Sequence, residues 1–314
     1  MRKIKTLSHS NTKTKRRCFR PSGMGIITAV LLLLGTTVFL YPHASQWVNQ
    51  ARQAAIVSAY KKIVDKVEPD EATQITEARR YNDYLAKEQL VDIDGHVPTI
   101  RESAITPESL GLAPYKEQLE ADNTGLMARI RVPAADIDLP IYHGTSDITL
   151  LRGAGHLQGT ALPIGGKGTR TVITAHRGLA DSAMFTYLDR AKISDTFSIE
   201  TFGQLLVYKI YDIKVVAPEE SETIKPVPGK DLATLITCTP LGINTHRIVV
   251  TGERIIPTPA KDLDSLGAES DLPHFPWWIV IWCGAFIFSL WFVWFTRRED
   301  DDDEPSATPE LHND

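Results

Sequence analysis

Apolar residues recur along this chain in three different rhythms. Two stretches are apolar without interruption. MGIITAVLLLLGTTVFLY (Met24–Tyr41) has 18 residues and PWWIVIWCGAFIFSLWFVWF (Pro276–Phe295) has 20, and neither contains a charge. As helices they extend roughly 27 and 30 Å, enough to cross the hydrocarbon of a bilayer. From Ala44 to Leu90 the rhythm is helical. Ile56, Tyr60, Ile63 and Val67 fall on one face, Pro69 breaks the run, and Ile75, Ala78, Asn82 and Leu85 form a second stripe. Val91–Tyr115 has little periodicity, three prolines and a length unusual for a passive loop. From Gly125 onward, short β-branched runs alternate with turn residues: MARIRVP, DIDLPIYHG, RTVITAHRG, DTFSIETF, QLLVYKIYDIKVVAP, LATLITCTP and HRIVVTGERI. Seven or so strands in about 130 residues predict a closed or nearly closed β-barrel. DSAMFTYLDRA reads as one helical insertion between the third and fourth of them.

These shifts divide the chain into a basic tail (1–23), a span (24–41), a helical extension (42–90), a loop and candidate lid (91–124), a barrel (125–256), a linker (257–275), a second span (276–296) and an acidic tail (297–314). Charge then gives a direction. The first 23 residues carry eight Lys/Arg and no acid, and Arg297 with Arg298 follow the second span. The positive-inside rule therefore predicts a two-pass membrane protein with both termini cytoplasmic and Pro42–Phe275 outside. Five of the six tryptophans lie in the second span, where interfacial rings belong. A cleaved signal peptide is the rival reading of the first span, but its apolar run is long and no A-x-A site follows. The net charge of −5 hides this segregation, and neither charge run argues for nucleic acid.

Cys238 is the one cysteine of the outer segment, since Cys18 is cytoplasmic and Cys283 lies within a span. It ends an apolar strand and meets the turn TPLG. An unpaired exported cysteine is a buried small hydrophobe, an intermolecular cross-link or a nucleophile. A nucleophile requires a base or cation nearby, because the thiolate is what attacks. The outer segment offers seven histidines: His43, His96, His143, His156, His176, His246 and His274. His43 and His274 abut the spans. His143 and His156 lie beside glycines, where turn hydrogen bonds are as natural as chemistry. His176 ends TVITA at a strand mouth, and His246 is near Cys238 in sequence; position leaves both open as the base. Arg247 opens the strand after Cys238 and supplies donors suited to an oxyanion if the two strands are neighbours.

TLITC and TPLGINTHR, with TAHRGL before them, resemble the sortase family of cysteine transpeptidases. Thr234, Leu235, Thr237 and Cys238 match its strand motif, His176 its histidine and Arg247 its arginine. The likeness runs from about Gly125 to Ile255, and CTPLGINTHR, the two spans and the helical extension are similar to class C, the pilin polymerases of Gram-positive bacteria. The resemblance implies a mostly β fold built on an eight-stranded barrel, with a helical extension and a transmembrane helix at each end. It also implies cleavage of an LPXTG-like sorting signal between Thr and Gly. Cys238 would be the nucleophile, His176 the general acid and base, and Arg247 the group that holds substrate and oxyanion. The acceptor would be a pilin lysine, with no metal or cofactor. Anchoring of surface proteins through lipid II is the sister reading; a non-catalytic assembly factor and a plain cysteine protease are the others. Class C members commonly carry an Asp-Pro-aromatic lid. This chain has no Asp-Pro; Ala113-Pro114-Tyr115 is its nearest counterpart, making Tyr115 the lid candidate.

Overall fold

The structure is a computed structural model and describes residues 22–88, 91–92, 99–100, 106–218, 220 and 224–296. Residues 1–21 and 297–314, His96 and most of 89–105 lie outside the described residues. The chain divides into two compact units, one of 1–41 with 277–314 and one of 42–276.

Two helices of the first unit are long and apolar enough to cross a membrane: α1 (Gly23–Val64), through its N-terminal part, and α4 (Trp277–Phe295). Several of their polar side chains bond within the unit, as an apolar surrounding would require. Thr28, Thr36 and Thr37 donate to carbonyls four residues back, and Thr37 Oγ1 accepts from Trp282 Nε1 at 3.0 Å. The boundary read at 41/42 is no break in the helix, because α1 runs on through Pro42. Proline removes one N–H from the ladder, and the many flanking turns outweigh that loss.

The second unit is built around eight strands: β3 (Leu126–Val132), β4 (Ile137–His143), β5 (Ala154–His156), β6 (Thr169–Thr174), β7 (Thr196–Thr201), β8 (Gln204–Val216), β9 (Asp231–Thr239) and β10 (His246–Arg254). They close in the order β10-β8-β7-β3-β4-β5-β6-β9. β4–β5 and β6–β9 are parallel, and the other pairs are antiparallel. A separate pair, β1 (Val91–Asp92) and β2 (Thr99–Ile100), precedes the barrel. Closure removes open edges, and alternation sends Ile130, Ile199, Leu206, Ala233, Leu235 and Val250 into the core.

The apolar stripes of α1 and α2 (Glu71–Glu88) pack onto this core. Polar groups lock them in place. Tyr60 Oη donates to the Met127 carbonyl at 2.9 Å and accepts from Phe202 N at 3.1 Å. The Asn82 amide exchanges two hydrogen bonds with the backbone of Leu162.

Two local readings change. DSAMFTYLDRA is not a helix but a chain of tight turns, with 3₁₀ geometry at Leu188–Arg190. Met184, Phe185 and Leu188 are buried together there, and Phe185 N donates to His176 O instead of continuing a helical ladder. The three-residue β5 and the short helix α3 (Asp147–Arg152) were too brief for periodicity to show.

Candidate active site

β9 owes its stability to two neighbours. On one side β10 pairs antiparallel with it, and Arg247 lies directly opposite Cys238. Opposite residues in such a pair share a face, about 5 Å apart at Cβ. On the other side β6 runs parallel, with Thr174 level with Ile236. The contact continues past the end of β6. Ala175 N donates to Ile236 O, Thr174 Oγ1 donates to the same carbonyl at 3.1 Å, and buried Thr237 Oγ1 donates back to Ala175 O at 2.8 Å. Two residues beyond the Thr174–Ile236 pair, the chain reaches His176 on one side and Cys238 on the other. His176, Cys238 and Arg247 therefore form one row across the mouth of the barrel.

The same register separates the two candidate histidines. His246 pairs with Thr239, and neighbouring strand residues face opposite sides. His246 thus shares the face of Thr239, not that of Cys238. It is exposed and bonds Thr245 Oγ1 through Nδ1. Cys238, His176 and Arg247 are each half-buried. The guanidinium of Arg247 donates to the carbonyls of Asn244 and His246, its own turn, at 3.0 and 3.1 Å.

Sequence reading missed the residues that hold the His176 loop. Arg177 bonds Thr239, Thr186 and Asp189. From α1, Gln46 reaches the carbonyls of Leu179 and Ala180, Asn49 that of Asp181, and Gln53 the sulfur of Met184. Positions 46, 49 and 53 share a helix face, but amides on a helix carry no signal until the loop they meet is known. Gly178 has a positive φ of 77°, and a Cβ there would come within 2.6 Å of Leu241 Cδ2. The turn after Cys238 therefore rests on the His176 loop.

Tyr115 lies elsewhere than expected. Its ring is buried in the core cluster, edge-on to His143 and stacked on His156. Its hydroxyl sits 2.9 Å from His156 Nδ1 and accepts from Gly144 N at 3.0 Å. With ring and hydroxyl both engaged there, Tyr115 is held among the described residues as a packing residue rather than as a cover over Cys238. His143 and His156 are structural too. His143 lies between the carbonyls of Gln118 and Gly125, and His156 Nε2 donates to Ala161 O at 2.9 Å.

Burial depresses His156 to about 4, against 6.5 unperturbed. The folded state keeps it neutral while the unfolded chain takes up a proton first. Its contribution is thus complete above pH 6.5 and is lost as pH falls toward 4, about 3 kcal/mol in all. His143 is lowered by burial as well and adds in the same direction. Unfolding measured at pH 7 and pH 4.5 is expected to show this loss, and His156→Asn to flatten it. An equally steep profile in that variant would sink the assignment.

The sortase domain family profile matches residues 130–255. Sortase A of Streptococcus agalactiae serotype III (strain NEM316) is 32% identical over 139 residues, 43% of this chain. That alignment spans 56% of the relative, little more than half its length. Two solved structures are matched almost end to end. Sortase C-1 from Actinomyces oris is 42% identical, with 59% of this chain and 97% of that chain covered and a TM-score of 0.50. The pilus-related sortase C of Group B Streptococcus is 38% identical, with 65% and 97% covered and a TM-score of 0.52.

This chain belongs to the sortase family.

Sortase homologues are cysteine transpeptidases. The sortase barrel is the closed eight-stranded sheet described above, and its family profile spans the whole row from His176 to Arg247.

Proposed function

We propose that this sortase is a membrane-anchored cysteine transpeptidase that polymerises pilins. The observation that carries this reading is the row itself. Cys238 sits between Arg247, its register partner, and His176, two residues past the β6–β9 register. The likeness to a pilus-related sortase C favours pilins as substrate.

In this reading residues 125–256 are the catalytic barrel, 42–90 its helical extension and 257–275 a linker. The spans 24–41 and 276–296 hold the barrel outside, with both termini in the cytoplasm. Cys238 Sγ, as thiolate, adds to the Thr carbonyl carbon of an LPXTG-like signal. The Arg247 guanidinium, held to its turn carbonyls through Nη1, presents its other nitrogens to the oxyanion, where preorganised donors lower the barrier. The Thr–Gly C–N bond then breaks as His176 protonates the leaving glycine amine, giving a thioester. A lysine Nζ attacks that carbonyl, His176 takes its proton and the C–S bond breaks. One amide replaces another, so no energy source is consumed.

The test is intact-mass measurement of the full chain in detergent with an LPXTG-type peptide, then with a lysine-bearing pilin fragment. The expected result is a mass gain equal to the peptide through Thr, discharged onto the lysine. Discharge only onto a lipid II-type amine would make this a wall-anchoring enzyme. Discharge only to water would make it a protease, and an absent adduct with a freely alkylated Cys238 would refute transpeptidation.

A further inference from the structure

Arg177 lies on a loop, yet its side chain is only 7% exposed. All three guanidinium nitrogens are used. Nε donates to Thr186 O at 3.1 Å, Nη1 to Thr239 Oγ1 at 2.9 Å and Nη2 to Asp189 Oδ2 at 2.7 Å. The Asp189 side chain is about half exposed, so the ionic part alone contributes little. What the planar fork adds is geometry, because it fixes three chain segments relative to one another.

Those segments are the bend after β6, the turn at 186–189 and the end of β9. Arg177 follows His176, and Thr239 follows Cys238. Alternation turns Thr239 away from the face of Cys238, so the Arg177–Thr239 bond forms a layer behind the row. The loop also closes on His176 directly. Phe185 N donates to its carbonyl at 3.0 Å, and Gly178 N donates to Thr186 Oγ1 at 3.0 Å. A base and a nucleophile on separate segments need their spacing held to within about an ångström, and a misplacement of that size costs about 100-fold.

We propose that Arg177 is the positioning residue that sets the His176–Cys238 spacing, acting through Thr239, Thr186 and Asp189. The proposal rests on the reading of His176 and Cys238 as the reacting pair. All three guanidinium nitrogens of Arg177 are taken up by these partners, which makes its role one of positioning.

The experiment compares the full chain in detergent with Arg177→Ala, Arg177→Lys and Thr239→Val. It follows steady-state cleavage of a fluorogenic LPXTG-type peptide, thermal unfolding, and hydrogen exchange in residues 176–189. Arg177→Ala is expected to lower kcat about 10- to 100-fold. KM should stay within about threefold, because a displaced base slows chemistry more than binding. Arg177→Lys should recover part of the loss, and Thr239→Val should lower kcat with faster exchange in 176–189. Unchanged kcat in Arg177→Ala and Thr239→Val overturns the proposal. Should Arg177→Ala fail to fold, Thr239→Val decides alone, since it removes one hydroxyl. A wild-type chain that never cleaves the peptide refutes the functional reading and takes this proposal with it; cleavage insensitive to these variants refutes the proposal alone.

Discussion

Replacing Cys238 by alanine is expected to abolish the covalent peptide adduct and bring cleavage to background, while the chain stays folded. The side chain is half-buried at the rim, outside the interior layer formed by Leu235, Ile248 and Val250, so removing its sulfur opens no core cavity. His176→Ala should separate from it in kind. The thiol persists and can still be alkylated, but proton transfer to and from the amines is lost, a deficit of about 10²- to 10⁴-fold. His246→Ala should cost far less, because its side chain shares the face of Thr239. The three variants are compared by intact mass and initial rate with an LPXTG-type peptide. A His246→Ala loss as deep as that of His176→Ala would overturn the assignment of the base.

The second large effect concerns folding. Arg129 is buried on β3, and its Nε and Nη2 meet both carboxylate oxygens of Asp138 at 2.7 Å. Nη1 donates to Ala268 O at 2.7 Å and lies 3.6 Å from Glu200. Ser270 Oγ completes Asp138, and Gly267 N donates to Glu200. This network ties residues 267–270 to the barrel. Arg129→Ala would leave Asp138 only the more distant Arg131, 3.7 Å away, and Glu200 without its nearest cation, and breaking such a buried pair costs about 3–5 kcal/mol.

The pH dependence has a definite sign. Burial already raises Glu200 above the ordinary carboxylate range, and Arg129 partly opposes it. Without Arg129 the folded-state value rises further, so the deficit is smallest in acid and deepens as pH rises through the folded-state range of Glu200, which burial places above that of an ordinary carboxylate. Urea unfolding at pH 5 and pH 7, followed by circular dichroism, is expected to show the larger loss at pH 7. A deficit under about 1 kcal/mol at both would show that the pair is dispensable.

Much of this molecule could be read from residue order alone, where the relevant forces act between near neighbours. Unbroken apolar runs announce helices that can cross a membrane because no backbone group may go unpaired in lipid. The stripe Ile56, Tyr60, Ile63 and Val67 faces the core because helical periodicity is local. The strands around TLITC and HRIVV declare themselves by β-branched alternation, and TPLGINTHR placed Cys238 and Arg247 on either side of one turn.

The remainder needed the closed sheet. Whether His246 shares a face with Cys238 is a question of register, and parity along β10 excludes it, while the long-range pairing of β6 with β9 brings the segment that carries His176 beside the end of β9. DSAMFTYLDRA has helical composition, yet closing the loop onto His176 takes the Phe185 amide, and the amides after it bond three residues back in tight turns. Tyr115 follows a loop resembling a lid, but a buried histidine 41 residues away offers its hydroxyl a better partner. Arg177 and the amides of α1 look like ordinary polar residues until the fold brings β9 and the His176 loop against them. Local chemistry named the candidate reacting groups; long-range pairing, which no short window of sequence contains, brought their segments side by side.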